Sequence, residues 1–452
     1  DHPPRPPVIR YHADWVLPIT APAIRRGVVA VSRGRIAYVG PAAHAPAGDD
    51  VHLDGMVLMP GLVNAHTHLE LTAMRGFLED LEFHAWIRQL VNARGDVLTR
   101  DMLLDSARHG IDEGLAAGTT TFADTCDSGV VFDALLERGV RGIMYQEVFG
   151  PAPATCDDAM RALRDKVDAM LPRQTALVRV GVSPHAPYTV SDRLFAAAAR
   201  YAIQARLPIA IHIAESESEQ RLVVEARGPF ADALVKRGIR VEARARSPIQ
   251  LLRGLRVLDA QPLLIHCVRA DQSDVHAIAA SGCSVAHCPA SNAKLGHGIA
   301  PLTEFLDAGI PVGLGSDSVA SNNRMHMLGE AWLAALHQRA RARRPDAVSA
   351  AQALRLATID GARALGIDDT VGSLEPGKAA DLAAFPLDGR LGPVHDIESA
   401  VVFALHAVPA AFVAVAGRVL VQDGALVARD PGLAGRVQQT ADALQRWLAE
   451  RP

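Results

Sequence analysis

The chain has 452 residues, 49% hydrophobic and 21% charged, with a formal net charge of −4. That apolar content supplies a large core and excludes global disorder. The near balance of 46 basic and 50 acidic residues excludes a nucleic-acid binder driven by overall charge, and no apolar run is long enough to span a membrane.

Residues 1–7 are Pro-rich and lack the apolar core of a signal peptide. The next pattern predicts a hairpin over 27–39: Val28, Val29 and Val31, a turn at Arg33-Gly34, then Ile36 and Val39. A short strand follows near 51–58. From Pro60 onward, apolar strand-like runs alternate with helical stretches such as 192–205. The runs are 61–64, 119–123, 142–148, 177–183, 208–213, 262–266, 284–287 and 311–315, eight in all. Eight strands alternating with helices argue for a (β/α)8 barrel over a doubly wound sheet. Past Gly372 the strand-rich style returns, at 381–385, 400–405 and 412–416. This block and the N-terminal hairpin read as one small β-domain.

The expected fold is therefore α/β, a TIM-type barrel inserted in a small composite β-sandwich domain. Its parts are 1–58 and 373–430 (the β-domain), 59–372 (the catalytic barrel) and 431–452, a C-terminal helix capped by Asp430. The five cysteines form no CxxC pair and read as reduced, buried thiols.

Barrels carry their chemistry at the carboxyl ends of their strands. The first run ends in His66-Thr67-His68, where i and i+2 point to the same side. The fourth is followed by His185. The fifth carries His212 and, three positions on, Glu215; the sixth ends in His266 and the eighth leads to Asp317. An HxH pair alone is weak evidence for a metal. With these further groups converging from other strands, His66, His68, His212 and Asp317 become candidate ligands of a zinc-type catalytic centre. The competing readings are a core histidine for His212 and a helix N-cap for Asp317. Glu215 is suited to shuttle a proton between nucleophile and substrate nitrogen, and His266 to hydrogen-bond the nucleophile or polarise the reacting group, against a buried structural histidine. Glu217 and Glu219 read as a solvated face, and His297 as a weak loop candidate. Some barrels bridge two metals with a carboxylated lysine at strand four. Here the only lysines are Lys166, Lys236, Lys294 and Lys378, none at the end of the fourth run, which favours one ion. Glu147, ending strand three, reads as a structural or substrate-facing carboxylate rather than a second ligand.

The motifs Pro60-Gly61-Leu62-Val63-Asn64-Ala65-His66-Thr67-His68, Ser183-Pro184-His185-Ala186-Pro187-Tyr188, His212-Ile213-Ala214-Glu215 and Leu314-Gly315-Ser316-Asp317-Ser318 resemble the amidohydrolase superfamily. The branch they are most similar to is that of the chlorohydrolases and nucleoside deaminases. The likeness runs roughly from residue 10 to 430. It implies one divalent ion, zinc or else iron, on residues matching His66, His68, His212 and Asp317. It further implies hydroxide attack on a ring carbon bearing an amino group. The residue matching Glu215 protonates the adjacent ring nitrogen, and Asp317 relays the water proton as ammonia leaves.

The stretch His68-Leu69-Glu70-Leu71-Thr72 is similar to aminodeoxyfutalosine deaminases, so the first substrate expected is 6-amino-6-deoxyfutalosine. The alternatives are S-adenosylhomocysteine, 5'-methylthioadenosine or adenosine, or the chemistry of a guanine-type deaminase or triazine chlorohydrolase. Arg75-Gly76, Glu79-Asp80-Leu81 and Trp86 are shared with S-adenosylhomocysteine/methylthioadenosine deaminases. The carboxylate those usually carry after the Trp, to clamp the ribose, is absent from 91–95. Substrate contacts are expected at His185, Trp86, Ser291 and Asn292, against turn or core roles for each. The Arg-rich segment 228–256 reads equally as a lid or oligomer contact or as a plain surface excursion. The expectation is a cytoplasmic, homo-oligomeric, metal-dependent aminohydrolase of a small aminopurine nucleoside, without nucleic-acid or membrane partners.

Overall fold

The computed structural model describes residues 7–387, 389 and 391–451. Apart from Pro7, the Pro-rich stretch lies outside the described residues. Four strands open the chain: β1 (Val8–Val16), β2 (Ile24–Ser32), β3 (Arg35–Pro41) and β4 (Asp49–Pro60). Eight more alternate with helices: β5 (Leu62–Thr67), β6 (Thr119–Cys126), β7 (Arg141–Val148), β8 (Val178–Pro184), β9 (Ala210–Ile213), β10 (Leu263–His266), β11 (Ser284–His287) and β12 (Val312–Leu314). Four follow: β13 (Leu382–Pro386), β14 (Phe412–Val415), β15 (Arg418–Gln422) and β16 (Ala425–Leu426).

The chain forms two compact units. One comprises residues up to 65, 112–122 and 325–430; the other comprises 66–111, 123–324 and the residues from 431. The first holds an eight-stranded sheet in the order β16-β15-β14-β13-β4-β1-β2-β3. Its expected hairpin pairs Val29 with Val39 and Val31 with Ile36. Arg33 and Gly34 both take positive φ (51° and 73°), as a two-residue turn between right-twisted strands requires. β13 pairs antiparallel with β4, placing Leu382 opposite Pro60 and Ala384 opposite Leu58. Both ends of the sequence thus build one sheet, which buries Tyr11, Val29, Ile36, Leu58, Leu382 and Phe412.

Three sequence readings change. β1 was not anticipated, because its buried Tyr11, Ala13 and Val16 are interleaved with Arg, His and Asp. The run expected as a strand at 400–405 belongs to a helix, Ile397–Ala404. Asp396 caps it, its Oδ2 accepting the Ser399 N–H at 2.9 Å. A short apolar run such as Val401-Val402-Phe403 carries no period that separates strand from helix. The C-terminal helix, Leu433–Ala449, has Gly432 rather than Asp430 at its N-cap. Its buried stripe is Leu433, Val437, Thr440 and Leu444.

The eight apolar runs are the eight strands β5 to β12. They form two four-stranded sheets, β5-β6-β7-β8 and β9-β10-β11-β12. The pairs β7–β8, β9–β10, β10–β11 and β11–β12 are parallel. Two parallel bridges close the barrel, Val182 to Ile209 and Thr67 to Asp317. The second bridge joins the stretch carrying His66 and His68 directly to Asp317. All five cysteines are buried and form no disulfide. No helix among the described residues is long and apolar enough to cross a membrane.

Candidate functional site

β5 runs into His66-Thr67-His68, and a buried carboxylate fixes the backbone on both sides of His68. Asp124 Oδ2 accepts the Thr67 hydroxyl and the Leu69 N–H, each at 2.7 Å. Burial pushes the Asp124 carboxyl well above its usual range. His68 Nδ1 lies 3.1 Å from the Thr125 carbonyl and His212 Nδ1 3.3 Å from the His185 carbonyl. A carbonyl can only accept, so in each neutral ring Nδ1 carries the proton and Nε2 presents a lone pair. Those two Nε2 atoms face each other at 3.2 Å. Two lone pairs so placed repel, and a cation between them removes the conflict. Asp317 Oδ1 stands 3.2 Å from His66 Nε2 and 3.6 Å from His68 Nε2. Ligand atoms of His66, His68 and Asp317 lie within 4.8 Å of one another, as do those of His66, His212 and His266. The donor set fits a divalent ion. Burial lowers the imidazole pKa of His66 and His212, and takes His68 down to about 3. The rings therefore stay neutral, as ligation requires.

Asp317 is held from several sides. Its Oδ2 accepts Ser291 Oγ at 2.5 Å and Ser321 Oγ at 3.2 Å, and its Oδ1 accepts the Ser318 N–H at 2.7 Å. Burial alone would raise its carboxyl, but His66 and the neighbouring histidines hold it well below the usual range. His266 Nδ1 bonds to Asn292 Oδ1 at 3.0 Å, which turns Nε2 toward Glu215 Oε1 at 3.5 Å. Ser291 and Asn292, expected at the substrate, are thus buried behind Asp317 and His266.

Glu215 is buried and has a second imidazole neighbour, His297 Nε2, at 3.3 Å. Burial raises its carboxyl, but His266 and His297 outweigh burial and the net shift is downward. His297, a weak loop candidate in the sequence, is brought to Glu215 by the structure. Its place in the site depends wholly on the loop that packs its ring 4.6 Å from Phe83. The acidic run divides as well. Glu217 is exposed, but Glu219 is fully buried, a correction to the solvated-face reading. Four non-glycine residues at these strand ends take left-handed φ: Ala214 (52°), His266 (78°), Cys267 (48°) and Asp317 (58°). Such conformations cost energy and persist only where the surroundings enforce them.

A cavity of about 710 Å³ opens onto His68, His212, Glu215, His266 and Asp317. Its walls include Phe83, Trp86, Tyr188 and Phe230, the last two stacked at 4.2 Å. Trp86 lines the cavity with its buried Nε1 unpartnered among the described residues. His185 also lines it, with Nδ1 2.8 Å from Thr189 Oγ1. Burial holds the His185 imidazole down to about 4. The helix Pro229–Lys236, opening the Arg-rich segment, supplies Phe230, Ala233 and Leu234 to the wall. Exposed lining residues include Val91, Phe149, Arg88 and Arg237. The stretch 91–95 places Arg94 between Glu70 (2.9 Å) and Asp127 (3.3 Å). Beside them Glu147 is buried, with Oε1 unpartnered among the described residues. Burial, and then the Glu70 charge, push its carboxyl well above the usual range. None of the four lysines lines the cavity.

Gly315 packs directly against the candidate ligand His66. A Cβ there would meet His66 Cβ at 2.8 Å, the His66 backbone N at 3.0 Å and Cys288 Sγ at 3.1 Å. Gly315→Ala is expected to displace His66 and weaken metal binding by about 10- to 100-fold. It is also expected to destabilise the fold by about 1–3 kcal/mol. Competition with a chelator and thermal melting read the two effects separately.

The family model described as "Amidohydrolase family" matches residues 57–420. A 5-methylthioadenosine/S-adenosylhomocysteine deaminase of Moorella thermoacetica is 34% identical over 415 residues, spanning 90% of this chain and 93% of the relative. Among solved structures, an adenosine deaminase from Xanthomonas campestris with bound zinc superposes with a TM-score of 0.87 at 30% identity. That match covers 98% of this chain and 100% of the other. An aminofutalosine deaminase of Helicobacter pylori, in complex with methylthio-coformycin, has a TM-score of 0.80 at 20% identity, over 92% of this chain and 100% of that one. At that identity the likeness speaks for the fold alone.

Proposed function

The chain belongs to the amidohydrolase family, and from that premise we propose that it releases ammonia hydrolytically from a 6-aminopurine nucleoside, with 5'-methylthioadenosine and S-adenosylhomocysteine as its preferred class. The observation that carries the chemistry is the meeting of His66, His68, His212 and Asp317 beside a buried Glu215, with His68, His212, Glu215 and Asp317 lining one cavity. The relatives matched along nearly the whole chain carry the substrate class. They favour it over aminodeoxyfutalosine, whose support here is the fold likeness and the motif at 68–72. The cavity agrees with a substituted nucleoside: exposed apolar lining at Val91 and Phe149 continues beyond the polar floor.

Three imidazoles and a carboxylate suit zinc, the ion held by the Xanthomonas structure. Such an ion supplies Lewis acidity, which makes water a usable nucleophile at neutral pH. The protein's own groups do the remaining work. Glu215, ionised in the free protein, takes up a proton from the attacking water. It delivers that proton to the ring nitrogen beside the amino-bearing carbon. His266, oriented by Asn292, steadies the attacking oxygen. Asp317, fixed by Ser291 and Ser321, accepts the second proton and passes it to the departing amine. The aromatic walls exclude water and present flat faces to a purine.

The test is an ammonia-release assay on 5'-methylthioadenosine, S-adenosylhomocysteine, adenosine, aminodeoxyfutalosine and guanine, with halide release scored on a chlorotriazine. The highest kcat/KM is expected for the first two. Preference for guanine or the chlorotriazine would overturn the nucleoside reading, and preference for aminodeoxyfutalosine would reverse the substrate order.

A further inference from the structure

The turn after β9 carries the residue on which proton transfer depends, and its backbone is not in a relaxed conformation. Ala214 sits at φ 52°, between Ile213 at the end of the strand and Glu215. A residue with a Cβ enters that region only when something holds it there. What holds it is Glu219. This side chain is completely buried and comes from the first turn of the next helix, Glu217–Glu225. It reaches back over the turn: Oε1 accepts the Ala214 N–H at 2.8 Å and Oε2 accepts the Glu215 N–H at 2.9 Å. Its own N–H donates to Ser216 Oγ at 3.1 Å, fixing the helix start from which it projects. The Ala214 carbonyl is tied separately, by the Arg269 N–H at 2.8 Å.

We propose that Glu219 is the positioning residue of the reaction: its two carboxylate oxygens lock the Ala214-Glu215 backbone and so aim the Glu215 carboxyl at the reacting ring. This rests on the reading of Glu215 as the proton shuttle. Burial pushes the Glu219 carboxyl up to about 8 against the opposing pull of these two N–H groups, but the geometry, one N–H on each oxygen, needs two acceptors, which a carboxylate has and an amide lacks. A glutamine at 219 would turn an NH2 group against one of the N–H donors. The turn would then be free to relax, and Glu215 would lose its alignment while His212, three residues before it on the strand, kept its own. A group displaced by about an ångström in a proton-transfer site loses about 100-fold in rate.

Four proteins decide the matter: wild type, Glu219→Gln, Glu215→Gln and the double variant. Each is measured for kcat, KM and bound metal, and for backbone hydrogen exchange in the peptide spanning Ala214 and Glu215. Glu219→Gln is expected to lower kcat by about 10- to 100-fold, with KM and metal content unchanged and with faster exchange in that peptide. In the Glu215→Gln background it is expected to cost nothing further, because Glu219 acts only through Glu215. Additive losses, loss of metal or unchanged kcat would each overturn the proposal. If Glu219→Gln does not fold, Glu219→Asp, with both oxygens on a shorter arm, is read by the same criteria. If wild type deaminates no nucleoside, the functional reading fails by itself. Hydrogen exchange then still decides whether Glu219 holds the turn, and unchanged exchange rejects it.

Discussion

Asp317→Asn lowers kcat/KM for the best nucleoside by at least about ten-thousand-fold, the upper end of what a single acid–base group contributes. The size of this expected loss comes from two roles meeting on one carboxylate. Asp317 Oδ1 stands within reach of His66 and His68 and is the carboxylate of that group of three. Asparagine keeps the volume and loses the charge, so a divalent ion would be left with histidines alone. The other oxygen, held by Ser291 and Ser321, is the proton acceptor in the proposed reaction, and an amide cannot take up that proton. Metal analysis beside the ammonia assay separates the two roles. Metal-free variant protein assigns the loss to ligation, and metal-replete inactive protein assigns it to proton transfer. Activity within tenfold of wild type would remove Asp317 from the mechanism.

Glu215→Gln lowers kcat by about 100- to 10,000-fold while metal content stays full. Glu215 is outside the group of ligand atoms that lie together, and its carboxyl faces His266 and His297 instead. Those imidazoles hold its carboxyl below the usual range despite burial, so in the proposed reaction it begins as a base and becomes an acid only after taking the water proton. Glutamine preserves the shape and the contacts but can do neither. KM is expected to change little, because the cavity walls that bind the purine are untouched. A loss confined to KM would make Glu215 a binding group rather than a proton shuttle.

Much of this was legible along the chain for definite reasons. A barrel strand is a short apolar run, often introduced by Gly or Pro, and each of the eight can be read without knowing its neighbours. His66 and His68 are visible as a pair because a strand returns its side chains to one face every second residue. His212 and Glu215 stand out because a polar pair at the end of an apolar run has no packing explanation. The same reasoning fails where a role depends on a partner distant in sequence. Glu217 and Glu219 occupy the same Ser-Glu repeat, yet one is exposed and the other accepts two backbone N–H groups of the preceding turn. Ser291 and Asn292 read as loop polarity until Asp317 and His266 are seen beside them. His297 enters the site only because its loop folds over Glu215. The run at 400–405 is helical because Asp396 caps it, not because of any period in its apolar residues.

By itself, then, the sequence determined the alternation of strands and helices, the expectation of a barrel within a composite β-domain, and the residue types available for a metal and a proton. Those are properties of local periodicity and of chemistry at strand ends. The tertiary structure alone decided which carboxylates are ionised, which are buried to pin a backbone and which face the cavity. Burial and hydrogen-bond partnership set a carboxylate's role, and both are supplied by residues that meet only when the barrel closes.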